Sequence, residues 1–141
     1  MEKTLIILKP DAVKRRIIGK IIERIEDKGL NIIAMKMTKL KREEAEEFYK
    51  EHKGKEFYEG LINFMTSDRI VAMVVEGENC IEVVRKMIGK TNPLEADPGT
   101  IRGDFALKLP ENVIHASDSK ESAKREIKFF FEEIEWEDKY P

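Results

Sequence analysis

The chain has 141 residues, with 26 basic and 28 acidic side chains and a net charge of −2. A length of this order is typical of one domain with one core, so we predict a single domain over residues 1–141. The near balance of charge argues against a nonspecific nucleic-acid-binding protein, and the single cysteine cannot form a disulfide within the chain. We find no signal pattern at the start and no apolar run near the ~18 residues of a membrane span, so a cytoplasmic location is predicted.

Apolar segments with two different patterns predict the β-strands. Residues 4–9 ("TLIILK") and 69–77 ("RIVAMVVEG") are nearly continuous apolar runs, typical of strands that are buried on both faces. Residues 31–40 alternate apolar and lysine side chains, which predicts a strand there too. The short apolar run that ends at His115 predicts only the end of a further strand.

Apolar residues at helical spacing predict the helices between these strands. The first helix carries apolar side chains from Val13 to Ile25 and should end at Gly29, since glycine commonly follows a helix end. Further helices are predicted over residues 42–53, 56–67 and 79–89. A last helix should begin at Asp118, whose carboxylate can cap it while Glu121 serves as the reciprocal partner.

The order of these elements indicates the fold class. The pattern β-α-β-(α-α)-β-α-β-α predicts an α+β fold, a ferredoxin-like split βαβ sandwich with a four-stranded antiparallel sheet and helices packed on it. Residues 90–112 contain several prolines and show no sustained periodicity. Irregular connections of this length inside compact domains are usually functional, so we expect a site there.

Two histidines have different surroundings in the sequence. His115 leaves an apolar strand directly before a helix start, where free N–H groups commonly bind anions. It is either a nucleophile that faces a cleft or a buried structural histidine, and the second kind is common. Glu126 flanks the apolar face of the last helix, so it is either an ion-pair partner or orients a buried polar group. His52 lies among charged residues and is expected in solvent.

The basic residues also divide into classes. Lys9 closes an apolar strand, a position from which we expect it to point into a cleft. Arg85 and Arg102 either contact an anion at the irregular segment or are ordinary surface charges. The segment "IGKTNP" is not a phosphate-binding P-loop, because it lacks the first glycine of that motif and follows a helix. Cys80 is expected to be a small buried side chain.

Several segments together resemble the nucleoside diphosphate kinase family, and the resemblance covers essentially the whole chain. "NVIHASD" resembles the family signature N-x-x-H-[GA]-S-D, and "IILKPDAV", "GKTNP" and "PGTIRGDF" match family segments in the same order and spacing. The resemblance implies transfer of the γ-phosphoryl group of a nucleoside triphosphate to a nucleoside diphosphate. Transfer would be ping-pong, through a phosphohistidine, with broad base and sugar tolerance. The alternative is a non-catalytic ferredoxin-like nucleotide-binding or regulatory module.

The resemblance also implies roles for individual residues. His115 matches the nucleophile, and Ser117 and Glu126 match the residues that support it. The positions that contact the nucleotide are matched by Lys9, Tyr49, Phe57, Leu61, Arg85, Thr91, Arg102, Leu109 and Asn112. Mg²⁺ is expected to arrive with the nucleotide, without a site of its own on the protein. A homo-oligomer is implied, with a hexamer favoured over a tetramer, and neither a membrane nor a specific nucleic acid is an expected partner.

Two further features concern strain and heat resistance. Ala116 replaces the commoner glycine of the family signature, and it would be strained if that position has a positive φ.

The surface is dominated by Lys and Glu, and the chain contains no glutamine. This bias is typical of proteins from organisms that live at high temperature, so we predict heat resistance.

Overall fold

The computed structural model describes residues 1–134 and consists of an antiparallel sheet with helices on both faces. Residues 135–141 of the predicted domain lie outside the described part. The strands are β1 (Glu2–Leu8), β2 (Asn31–Thr38), β3 (Ile70–Gly77) and β4 (Ile114–Ala116), in the spatial order β2-β3-β1-β4. The helices are α1 (Pro10–Lys14), α2 (Ile18–Asp27), α3 (Arg42–Phe48), α4 (Tyr58–Met65), α5 (Cys80–Ile88), α6 (Ile101–Phe105) and α7 (Lys120–Phe130).

The central strand β1 explains why both faces of the sheet are covered. Ile6 and Leu8 lie in a core with residues from α1, α2 and α5, whereas Leu5 and Ile7 lie in a second core with residues from α3, α4 and α7. All four side chains are fully buried, as the continuous apolar run predicts. The four strands pair antiparallel throughout, so the predicted ferredoxin-like α+β fold is confirmed.

The first predicted helix is wrong in one respect, because it divides into α1 and α2. Arg16 has a φ of 60°, in the left-handed region, and it separates α1 from α2, whose N-cap is Ile17. The predicted stop is confirmed, since Gly29 follows α2 with a φ of 95°. The predicted helix over 42–53 also ends early, at Phe48, and continues as a short 3₁₀ turn over Lys50–His52.

The predicted cap of the last helix is displaced by one residue. Ser119, and not Asp118, is the N-cap of α7, because its hydroxyl oxygen accepts the Ser122 N–H at 3.1 Å. Asp118 instead accepts a hydrogen bond from the Ser122 hydroxyl at 2.6 Å. Glu121 therefore lies in the first turn of α7 and is not part of the capping pair.

The irregular segment contains a helix that periodicity did not reveal. Thr100 caps α6, accepting the Gly103 N–H at 3.0 Å. A side chain at Gly103 is excluded, since its Cβ would lie 2.0 Å from the Asp97 carbonyl oxygen. The glycine therefore allows α6 to pack on the preceding turn, and this packing places Arg102 in the protein interior.

The edge strand β2 leaves apolar side chains in solvent. Ile33, Met35 and Met37 are 40, 46 and 48% exposed, although strands with alternating apolar residues usually bury them. Within residues 1–134, no helix is both long enough and apolar enough to cross a membrane.

Candidate active site

An open cleft of about 690 Å³ lies where β1 and β4 end, and it brings the predicted site residues together. His115, Glu126 and every position matched to nucleotide contacts line this cleft. Ser117 does not line it, but lies directly behind Glu126 and hydrogen-bonds to it. The residues come from nearly the whole length of the chain, so the fold, and not proximity in sequence, assembles the site.

The His115 side chain is held by a buried carboxylate. Its Nε2 lies 2.8 Å from Glu126 Oε1, and the Ser117 hydroxyl donates to the same oxygen at 2.9 Å. The Leu5 N–H of β1 in turn donates to the Ser117 hydroxyl oxygen at 3.3 Å. Because Glu126 is only 4% exposed, it is a fixed acceptor, and an acceptor at Nε2 favours the tautomer with hydrogen on that nitrogen. Nδ1 then keeps a free lone pair.

Two buried cations line one end of the cleft. Arg102 donates to the carbonyl oxygens of Gly89 and Ile114, at 3.0 and 2.7 Å, and is 4% exposed. Lys9 donates to Asn112 Oδ1 at 2.7 Å. Burial, and then the charge of Arg102, lowers the pKa of Lys9 to about 8. Burial, and then the charge of Arg85, lowers the pKa of Arg102 to about 10.

Burial and neighbouring cations lower these pKa values, and the nearby Asp11 carboxylate offsets only part of the effect on the pKa of Lys9. Neither Lys9 nor Arg102 forms an ion pair with a carboxylate in the part of the chain that the structure describes. Arg85 adds a third positive charge and donates to the Ala116 carbonyl oxygen at 3.2 Å. Buried cations that are preorganised in this way suit a polyphosphate, which can accept several charge-assisted hydrogen bonds.

Polar groups beside the cations connect the loops of the cleft. Asn112 donates from Nδ2 to the Thr91 carbonyl oxygen at 2.9 Å, while its Oδ1 accepts from Lys9. The Tyr49 hydroxyl is buried and has no hydrogen-bond partner within the described residues. Burial, and then the nearby Glu126, raises the pKa of Tyr49, so its phenol stays neutral and can donate.

The other end of the cleft is open and carries apolar side chains, with some polar side chains beside them. Phe57 and Leu109 are 54 and 50% exposed, and Leu61 is half-buried beside them. The expectation that His52 is a solvated side chain holds only in part, because the side chain is 30% exposed. Its ring lies 5.4 Å from the Phe57 ring and 6.3 Å from the Tyr49 ring, and it lines the same cleft. The charged neighbours in sequence gave no indication of this, because it depends on how the 3₁₀ turn packs.

Other cleft residues were not found from the sequence. Asp118 and Ser122 line the cleft beside His115, and the ring of Phe48 packs edge-on against the histidine at 5.6 Å.

Ala116 is not strained, since it lies in β4 without a positive φ. The positive φ lies at Val113 instead. Within residues 1–134, no group of three or more His, Cys, Asp or Glu side chains is arranged to hold a metal ion.

Known proteins resemble this chain over nearly its full length. A family model described as nucleoside diphosphate kinase matches residues 2–136. The nucleoside diphosphate kinase of Methanocaldococcus jannaschii is 74% identical, covering 98% of this chain and 99% of that protein. That of Methanococcus maripaludis is 62% identical, covering 93% of this chain and 98% of that protein.

Solved structures agree with these relatives. A halophilic nucleoside diphosphate kinase from Halobacterium salinarum, in complex with CDP, superposes with a TM-score of 0.92 at 40% identity, covering 98% of this chain and 94% of that one. The apo enzyme from Encephalitozoon cuniculi superposes with a TM-score of 0.91 at 44% identity, covering 93% of this chain and 89% of that one. These relatives confirm the prediction that the protein is an enzyme that transfers phosphoryl groups between nucleotides. They do not support the alternative of a non-catalytic module. The chain belongs to the nucleoside diphosphate kinase family, whose members transfer phosphoryl groups between nucleotides.

Proposed function

We propose that His115 is the nucleophile of a ping-pong transfer. Nδ1 attacks the γ-phosphorus of a nucleoside triphosphate, the N–P bond forms, and the bond to the bridging oxygen breaks to release the diphosphate. A terminal oxygen of a second nucleoside diphosphate then attacks the phosphorus, and the N–P bond breaks. The supporting observation is the 2.8 Å contact of Nε2 with Glu126, which leaves the Nδ1 lone pair free for the attack.

Glu126 and Ser117 are proposed to orient the imidazole and to stabilise the charge that it acquires. As the N–P bond forms, positive charge develops on the ring, and a carboxylate at Nε2 interacts more strongly with that charge. Ser117 keeps Glu126 in place, because its hydroxyl donates to the oxygen that contacts the histidine. The outer oxygen of Glu126 lies 3.7 Å from Arg125, which also disfavours movement of the carboxylate.

Lys9, Arg85 and Arg102 are proposed to bind the phosphates. Phosphoryl transfer depends mostly on in-line positioning and on stabilising charge at the equatorial oxygens, and fixed cations serve both needs. Thr91 and Tyr49 line the same cleft and carry hydroxyl groups that can also bind phosphate oxygens. Because these groups are already in place, little reorganisation is required when the nucleotide binds.

Mg²⁺ is proposed to enter as part of the nucleotide substrate. It takes oxygen ligands, keeps several waters and is commonly bound through substrate phosphates. In that position it would neutralise phosphate charge, and the cations of the cleft would act on the remaining oxygens.

Broad base tolerance is proposed for the apolar end of the cleft. Phe57 offers a flat face, and Leu61 and Leu109 offer methyl groups, so these three base-contact side chains supply no hydrogen-bond donor. Lys9 and Asn112 would contact the 3′ region of the sugar, so nucleotides that lack only the 2′-hydroxyl should be tolerated. The Halobacterium salinarum relative was solved with CDP, a pyrimidine nucleotide, which supports pyrimidines among the substrates of this chain.

A second copy of the chain is proposed to cover the edge strand β2. An edge strand presents unpaired backbone groups, and Ile33, Met35 and Met37 add exposed apolar side chains to them. A twofold axis would pair this strand with the same strand of another copy. The hexamer implied by the family resemblance, favoured over a tetramer, would be built from such dimers. A cytoplasmic location remains a prediction from the sequence.

Labelling with γ-labelled ATP tests the assignment of His115. A phosphohistidine is a phosphoramidate, so the label should be lost in acid and kept in base. His115→Ala should abolish the label, whereas His52→Ala, which removes the other histidine, should keep it. Label that persists in His115→Ala would show that another residue is the nucleophile.

A further inference from the structure

A strained turn lies between two residues of the proposed active site. Val113 has a φ of 63°, in a region that β-branched residues rarely adopt, and it is fully buried. The Ile114 N–H donates to the Asn112 carbonyl oxygen at 2.8 Å, which closes a three-residue turn around Val113. Turns of this kind with a positive φ at the centre are rare and unfavourable, so surrounding contacts must hold them.

Asp11 supplies the contact to the centre of the turn. Its Oδ2 accepts the Val113 N–H at 3.1 Å, across 102 positions of sequence. The Lys9 N–H donates to the Val113 carbonyl oxygen at 2.9 Å, so both polar groups of the strained residue are held by one segment at the end of β1. Without Asp11 the Val113 N–H would be buried and unpaired, and relaxation of the turn would then be favoured.

The Asp11 carboxylate contacts the Val113 N–H although its burial is energetically unfavourable. The side chain is 8% exposed, and its Oδ1 is buried without a hydrogen-bond partner among the described residues. Burial raises the pKa of Asp11, although the charge of Lys9 and backbone N–H groups, including that of Val113, offset part of this shift. An acidic residue in the first turn of a helix could interact with the helix dipole alone, but it would then have no need to be buried against residue 113.

The turn determines where two neighbouring side chains point. Asn112, directly before Val113, accepts from Lys9 and donates to the Thr91 carbonyl. His115 follows Val113 by two residues. It lies in the short strand β4, where it pairs with Ile7 of β1. A change of φ at Val113 would rotate these two residues relative to each other, and phosphoryl transfer is sensitive to small errors of position.

We propose that Asp11 is a positioning residue for phosphoryl transfer, which acts by holding the strained turn at Val113 between Asn112 and His115. Asp11 is not among the residues that line the cleft, so we expect it to act without direct contact with the nucleotide. The inference rests on the proposed roles of His115 and Asn112.

Single-turnover labelling with γ-labelled ATP, together with thermal unfolding, tests this role. Asp11→Ala should slow formation of the phosphoenzyme by roughly 10- to 100-fold, because a hydrogen bond to a charged acceptor is lost. Asp11→Asn should remain within a few-fold of the wild type, since its amide oxygen can still accept. Val113→Gly in the Asp11→Ala background should restore much of the rate, because glycine adopts a positive φ without strain.

The rescue separates positioning from general stabilisation. A residue that only stabilises the fold would give no recovery with Val113→Gly, since a buried valine side chain is lost as well. If Asp11→Ala does not fold, Asp11→Glu keeps the charge but moves the carboxylate, and the same rescue comparison is made with it.

The inference is overturned if Asp11→Ala labels within about twofold of the wild type, a change too small for a lost charged hydrogen bond. It is also overturned if Val113→Gly restores nothing, or if Asp11→Asn is as slow as Asp11→Ala. Wild type and His115→Ala are labelled in parallel. Absence of a His115 label in the wild type would contradict the proposed function, whereas a normal wild-type label with unaffected Asp11 variants contradicts this inference alone.

Discussion

Nucleotide binding at alkaline pH should be coupled to proton uptake by Lys9. The pKa of this side chain is lowered from 10.5 to about 8, first by burial and then by the charge of Arg102. A phosphate beside the amine should raise that pKa again, because an opposite charge favours the ammonium form. With a free-enzyme pKa near 8, roughly three quarters of Lys9 side chains are neutral at pH 8.5 and about a quarter at pH 7.5. Binding should therefore take up those fractions of a proton per nucleotide, and affinity should fall as the pH rises above 8.

Calorimetry measures this uptake directly. Binding of Mg-ADP is titrated at pH 7.5 and at pH 8.5, in two buffers with different ionisation enthalpies, and the difference in heat gives the number of protons. Lys9→Met removes the titrating amine and should abolish the increase between the two pH values. Lys14→Met removes an exposed lysine of the neighbouring helix α1 and should keep it.

Two results would refute the reasoning. Uptake below about 0.2 proton at pH 8.5 would mean either that Lys9 is already protonated in the free enzyme or that bound phosphate does not raise its pKa, and each contradicts one step of the reasoning. The same uptake in Lys9→Met as in the wild type would mean that another group takes up the proton.

Further predictions concern activity, assembly and stability. Arg85→Ala and Arg102→Ala should each lower kcat/KM by roughly 10- to 100-fold, and unchanged values in both would contradict the phosphate site. Arg102→Ala should also lower the Tm, measured by calorimetry, because it removes the hydrogen bonds to Gly89 and Ile114. Competition among ADP, GDP, CDP and UDP should give kcat/KM values within roughly two decades, and a preference above ~1000-fold would reveal a polar base contact. Met35→Lys should lower the mass measured by light scattering, and a wild-type monomer at micromolar concentration would contradict the proposed oligomer. The Tm of the wild type should exceed the range of about 45–65 °C that is usual for mesophilic domains.

Long apolar patterns made much of the fold predictable. The runs in β1 and β3 are central strands, and a segment that is buried on both faces leaves little choice but continuous apolar side chains. Shorter elements were missed, because their stability comes from tertiary contacts. Helix α6 is held by the Arg24–Asp104 ion pair at 2.6 Å and by the Arg24 guanidinium over the Phe105 ring at 4.8 Å. Neither contact is visible in local sequence periodicity.

By itself, the sequence determined the fold class and the family and predicted many of the residues that line the cleft, since motif order and periodicity are properties of the chain. Only the tertiary structure decided how those residues are connected. The contact of His115 with Glu126 determines which ring nitrogen is free, and this depends on how α7 packs against β1, the strand that pairs with β4. The contact of Asp11 with Val113 joins positions 102 residues apart. Hydrogen bonds depend on distances of a few tenths of an ångström and on direction, and only the packing of the whole chain determines these.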